Sequence, residues 1–269
     1  MRVTSDAVVK TFRTVRHSEH LREWRALHLL DEFVPGLAPR PLRMEIRRTF
    51  PSITMSRLPG HALQTVPPPA EEVALIADAR RRMHAAIPAD AVLDMPYAIS
   101  HARVEVPKLR RWEALAAVNM ARAQDSRSPE PGRALDAARN WLAGPEPRRL
   151  VSEPGDVCFG QSDPNIRNFI KDGSTLQIVD FEDSGRSDQA TELADLLEHV
   201  TLRGIPSSDW SEAIGAACSS PQSTERLLMA RRMKAAYWLL RSLARDDPAV
   251  AGAVTERRVR AERFLTLMP

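Results

Sequence analysis

QSDPNIRNFI (Gln161–Ile170) is followed, after seven residues, by IVDFED (Ile178–Asp183). Carboxylates and an amide stand at the margins of two apolar runs. Polar groups so close to buried strands are costly unless a cation, a substrate or a hydrogen-bond partner meets them. The intervening KDGS (Lys171–Ser174) carries an Asp-Gly hairpin signal. A turn at Asp172–Gly173 folds the two strand ends together. Asn168, leading into the first strand, and Asp180, following the second, are then expected side by side. One amide oxygen and one carboxylate, with water and phosphate oxygens completing the shell, suit magnesium, which takes few protein ligands. Asp163, a turn away, is left to hydrogen-bond a hydroxyl. Taken singly, Asp163 and Asn165 also fit ordinary turn roles and Asp180 a helix cap; only the joint spacing favours a site.

The 269 residues are 43% hydrophobic and 27% charged, within the range of globular proteins, and can form one large domain or two lobes. The chain has no long uncharged apolar run, which excludes a membrane helix, and its start lacks a signal-peptide pattern, so the cytoplasm is the expected compartment. Cys158 and Cys218 are too few for a disulfide framework or a cysteine metal site. The net charge of +3 gives no case for nucleic acid. Late basic residues such as Arg231, Arg232, Lys234, Arg241 and Arg263 recur among apolar positions and read as the wet sides of amphipathic helices. Gly-x-Gly occurs nowhere, which removes Rossmann and P-loop readings.

Working outward, DAVVKTF around Lys10, PLRMEIRR from Pro41 and SITMSRL from Ser52 alternate as strands, with a helix from a Ser18 N-cap to Phe33 between the first two. LPGHALQTVPPPAEE reads as a linker, blocked by Pro67, Pro68 and Pro69. Helices are expected over 70–87, 108–124 and 134–144, separated by the break SRSPEPG (Ser126–Gly132), and along the Met229, Met233, Ala236, Leu240, Leu243 stripe. An α+β class follows: a small sheet-plus-helix part over 1–60 and a larger, mainly helical part over 61–269. In the first helix, Glu23 shares a face with Leu27 and Leu30, and a carboxylate there needs a cation. Lys10, in an apolar strand, has the reciprocal need. Pairing meets both; a solvated Glu and a strand-edge Lys is the alternative.

FGQSDPNIRNF together with IVDFEDSGRSDQATELADL resembles the aminoglycoside phosphotransferase and choline kinase family, which has a bilobal protein kinase-like fold. The pattern is Asp-x-x-x-x-Asn, a short hairpin, Asp-Phe-Glu, then Asp188 and the ELADL helix. VVK at Lys10, EWRAL at Glu23 and a hinge-like MSRLPG (Met55–Gly60) extend it over nearly the whole chain. The resemblance implies transfer of a γ-phosphate from ATP or GTP, with Mg2+, to a hydroxyl of a small molecule such as an antibiotic or a metabolite. It implies Asp163 as the catalytic carboxylate, Asn168 and Asp180 as metal ligands, Lys10 on the phosphates paired with Glu23, and the backbone of Ser56 and Leu58 on adenine. Two departures stand out. Gln161 occupies the position of the family's usual His, and only nine residues precede Lys10, with no glycine-rich cover. A chain that starts late, after the family's first strands, is the expectation. A pseudokinase or regulatory nucleotide-binding module is the alternative function.

Overall fold

The computed structural model describes residues 1–13, 15–46, 50–123, 129–218, 220–245 and 253–269. The end of the strand expected at Pro41 and the start of the break expected at Ser126 lie outside the described residues.

Residues up to Ser56 form a four-stranded antiparallel sheet and one helix. The strands are β1 (Arg2–Val3), β2 (Ala7–Thr11), β3 (Pro41–Glu45) and β4 (Ser52–Ser56), in the order β1-β2-β4-β3. β4 shows why its sequence is a strand: Ile53 and Met55 are buried, while Ser52, Thr54 and Ser56 are half-exposed. Lys10 lies opposite Ile53 in the central β2–β4 pair. Helix α1 (Glu19–Phe33) lays Ala26, Leu27 and Leu30 against β3 and β4. Ser18 precedes it as expected, but in a left-handed conformation (φ 58°) without a side-chain cap bond. Its carbonyl accepts the Leu21 and Arg22 N–H groups instead.

The segment read as a linker contains a strand. β5 (His61–Ala62) pairs antiparallel with Lys171 and Ile170 of β7 (Phe169–Asp172), which pairs in turn with β8 (Thr175–Ile178). Gly60 makes this docking feasible: φ is 88°, and a Cβ there would sit 2.2 Å from the Lys171 carbonyl oxygen. The hairpin loop falls one residue later than expected. Asp172 pairs with Thr175, leaving Gly173 (φ 58°) and Ser174 as the turn.

The rest is helical, with α2 (Ala70–Ala86), α3 (Ala102–Ala123), α4 (Glu130–Ala143), α5 (Glu146–Ser152), α6 (Gln189–Glu198), α7 (Ser211–Ala217), α8 (Pro221–Ala244) and α9 (Ala253–Leu267). A two-stranded ribbon of β6 (Val157–Gly160) and β9 (Gly185–Asp188) flanks the hairpin. Helix α3 starts six residues before Lys108 and continues through Pro107. The expected methionine-leucine stripe is the buried face of α8, which packs against α3, α6 and α9. Asp188 caps α6 by accepting the Thr191 N–H at 3.1 Å, and it also accepts Nε and Nη2 of Arg226 at 3.1 and 3.0 Å. Burial opposes its charge, yet the Arg226 bonds and charge outweigh this and hold the Asp188 pKa below its ordinary value.

Candidate active site

The loop between β6 and β7 carries Asp163, and its base is anchored from below. Gln161 is fully buried. Its Nε2 donates to the Val179 carbonyl at 3.1 Å, its Oε1 accepts Arg80 Nη1 at 2.9 Å, and its N–H donates to Glu192 Oε2 at 3.1 Å. Arg80 and Glu192 themselves pair at 2.5 Å. An amide thus satisfies every group around it, joining the loop to α2, α6 and the end of the hairpin. Gly160 is required beside it, because a Cβ would lie 2.4 Å from Glu192 Oε1. Gln161→Ala strands the Val179 carbonyl and weakens the hold on Arg80. It is expected to destabilise the fold by ~1–3 kcal/mol and to lower turnover by loosening the loop, as urea unfolding and initial rates will measure.

Asn168 Nδ2 donates to both the carbonyl and Oδ2 of Asp163, at 3.1 and 3.0 Å. His199 Nε2 lies 3.7 Å from Asp163 Oδ1. The Thr201 N–H donates to His199 Nδ1 at 3.3 Å, which assigns the ring proton to Nε2, facing Asp163. Burial lowers the His199 pKa to about 4, so the ring is neutral near pH 7. Burial, then the Asp180 charge, pushes the Asp163 pKa up. No motif in the sequence marks His199; only the fold of α6 back over the loop places it here. Ser162 (φ 70°) and Asp180 (φ 67°) are both left-handed, so backbone strain is stored next to Asp163 and at Asp180 itself.

The expected Lys10–Glu23 pair forms at 2.6 Å. Lys10 Nζ also reaches Asp180 Oδ1 at 2.5 Å and Glu182 Oε2 at 3.0 Å, so one ammonium faces three carboxylates. Oxygens of Glu23, Asp180 and Glu182 lie within 4.8 Å of one another. Burial, opposed by Lys10, raises the Glu23 pKa to about 7. The surplus of negative charge fits a divalent cation near Asp180. Asn168 adjoins it through the backbone: the Val179 N–H donates to the Asn168 carbonyl at 2.9 Å. Glu182 was missed, although it stands two residues from Asp180 in sequence. At the end of β4, the Ser56 N–H is taken by the Arg40 carbonyl at 2.9 Å.

On the far side of Asp163 opens a cavity of ≈ 290 Å3 walled by α3, α6, α8 and the loops after β6 and β8. Of Glu192, Asp195 and Glu198 on α6, only Asp195 lines it. Glu192 supports Gln161, and Glu198 is held by Arg231 at 2.8 Å and Arg263 at 2.7 Å. Tyr237 and Trp238 line the cavity, whereas Trp141 and Trp210 belong to the core. Burial raises the Asp195 pKa to about 7, with Lys234 opposing. A carboxylate with a raised folded-state pKa stabilises below its unfolded value and loses that contribution as pH rises through the folded one. Asp195→Asn should therefore gain stability relative to the unaltered chain between about pH 4 and 7, as paired thermal melts across that range will read.

A family model described as "Phosphotransferase enzyme family" matches residues 1–229. No curated protein matches the chain. Among solved structures, a choline/ethanolamine kinase family protein from Mesorhizobium loti is 21% identical, with 99% of this chain and 83% of that chain covered at a TM-score of 0.66. A thermostable mutant of aminoglycoside phosphotransferase APH(4)-Ia, in ternary complex with AMP-PNP and hygromycin B, is 12% identical (98% and 86% covered, TM-score 0.60). Spectinomycin phosphotransferase APH(9)-Ia, in complex with ADP and spectinomycin, is 11% identical (98% and 86%, TM-score 0.59). At these identities the likeness carries the kinase-like fold, while the family match spans most of the sequence and the Asp163–Asp180 loop and hairpin: the chain belongs to the phosphotransferase enzyme family.

Proposed function

We propose that this phosphotransferase moves the γ-phosphate of ATP or GTP, with Mg2+, to a hydroxyl of a small molecule. One observation carries the reading: Lys10 of the small sheet is joined to Asp180 at 2.5 Å across the cleft, while Asp163 stands between that cluster and the cavity. Phosphoryl transfer needs mainly alignment and charge neutralisation, and these residues supply both. Asp163 orients the acceptor hydroxyl and takes its proton. The hydroxyl oxygen forms the new P–O bond, and the bridging P–O bond breaks with its electron pair leaving on the nucleoside diphosphate. Lys10, held by Glu23, meets the α- and β-phosphates. The Ser56 carbonyl and Leu58 backbone meet the base. Asn168 and Asp180 would hold the metal, which when bound neutralises charge on the β- and γ-phosphates. His199 Nε2, 3.7 Å from Asp163 Oδ1, borders the carboxylate on the cavity side.

A regulatory module without turnover is the other reading, motivated by Gln161, but the satisfied bonds around that amide leave the loop intact. Coupled nucleotide-diphosphate release over a panel of alcohols tests the proposal. Lys10→Met should raise the KM for Mg-nucleotide by about tenfold or more, since it deletes one partner of a partly desolvated charge contact. Unchanged nucleotide kinetics in that variant contradict the role given to Lys10.

A further inference from the structure

The cavity beyond Asp163 is lined by groups of both signs. Lys108 Nζ lies 5.1 Å from the centre of the Tyr237 ring, and Arg241 Nη1 donates to the Tyr237 hydroxyl at 3.1 Å. Among the described residues, neither cation has a carboxylate within 4.0 Å. Both line the cavity. Lys234, buried nearby, is different: its ammonium is already engaged by the Ser100 carbonyl at 2.6 Å and Glu105 at 2.5 Å.

The same cavity also carries carboxylates. Asp183 lines the cavity without a cation within 4.0 Å among the described residues, and burial followed by the Glu182 charge raises its pKa to about 6. Asp195 is buried; its Oδ1 lies 3.7 Å from Lys234 Nζ, while its Oδ2 accepts no hydrogen bond. Lys108, Arg241 and Asp183 therefore line one cavity with no ion pair within 4.0 Å among the described residues, although Lys108 and Asp183 feel each other's charge. The aromatic faces under Lys108 and Arg241 hold the positive groups in place. A polycation would meet Lys108 and Arg241; a simple anion would meet Asp183, Asp195 and Asp163. Each leaves one pair of buried charges worse off. A ligand carrying both signs satisfies both sets.

We propose that the acceptor is a small zwitterionic alcohol, a hydroxy amino acid, whose hydroxyl lies at Asp163, whose ammonium faces Asp183 and Asp195, and whose carboxylate faces Lys108 and Arg241. This rests on the phosphotransferase reading and narrows it. The cavity, at ≈ 290 Å3, sits at the small end of the ~300–1,000 Å3 typical of ligand pockets, in keeping with such a molecule.

The test uses the full chain and Mg-ATP with L-serine, L-homoserine and L-5-hydroxynorvaline. Each is paired with its decarboxylated amino alcohol and its deaminated hydroxy acid, and hygromycin B serves as the amino-sugar probe. At least one hydroxy amino acid should be phosphorylated with kcat/KM roughly 30-fold or more above both counterparts, the loss expected on deleting one partner of a desolvated charge pair. Arg241→Gln should shrink the advantage over the amino alcohol and leave the advantage over the hydroxy acid. Transfer to an amino alcohol or hygromycin B at equal or better efficiency overturns the inference and leaves the phosphotransferase reading standing. Refusal of all three hydroxy amino acids while Mg-ATP still raises the Tm does the same. If Mg-ATP neither raises the Tm nor donates phosphate to any probe, both readings fall.

Discussion

Asp163→Asn is expected to lower kcat by about 10^3-fold while leaving Mg-nucleotide affinity unchanged. Asparagine preserves the size of the side chain and its bond from Asn168, but it cannot take the acceptor proton. Loss of a positioned base removes ~10^2–10^4-fold in rate. The Asp163 pKa is raised by burial and by Asp180, the direction that makes the carboxylate a stronger base. Single-turnover rates, set beside calorimetric nucleotide binding, separate chemistry from affinity. A variant with unaltered kcat would remove Asp163 from the reaction and with it the proposed direction of proton flow.

The second large effect is on stability. Asp188→Ala leaves the buried Arg226 guanidinium without its carboxylate and α6 without its cap. Breaking one side of a buried ion pair costs ~3–5 kcal/mol. For a chain of this size that corresponds to a fall in Tm on the order of 10 °C. Adding Arg226→Met should restore most of the loss, because the stranded charge is then gone. A single variant that melts with the parent protein would mean that water reaches Arg226 readily.

What the sequence makes legible here is local. Alternation marks β2 and β4, the Lys171–Ser174 signal marks the hairpin, and the α8 stripe marks a core face. The Lys10–Glu23 pair is legible because each residue alone poses a solvation problem that the other solves. β5 was hidden because two residues among prolines and glycines become a strand only when β7, more than a hundred positions later, offers its edge. The cavity was hidden for the same kind of reason. Lys108, Asp183, Asp195 and Arg241 come from α3, the loop after β8, α6 and α8, and no spacing rule links them. Glu192 and Asp195, three apart on one helix, have opposite fates: one supports the loop from beneath while the other borders the cavity.

β5 also limits how the molecule can move. Chain pinned in β4 ends at Ser56, the Arg57 N–H is still held by the Asp6 carbonyl at 2.9 Å, and chain pinned to the hairpin resumes at His61, so Leu58–Gly60 are the free covalent links at that crossing. Non-covalent clasps cross elsewhere: Arg22 holds the carbonyls of Tyr97 and Ser184 at 2.9 and 2.8 Å, and Lys10 holds Asp180. Rotation of one part on the other would therefore turn on a three-residue spine. Loosening Arg22 and Lys10 removes these holds, while the Ile178 N–H, bonded to the Leu37 carbonyl at 2.8 Å, keeps a backbone link between the turn after α1 and the hairpin.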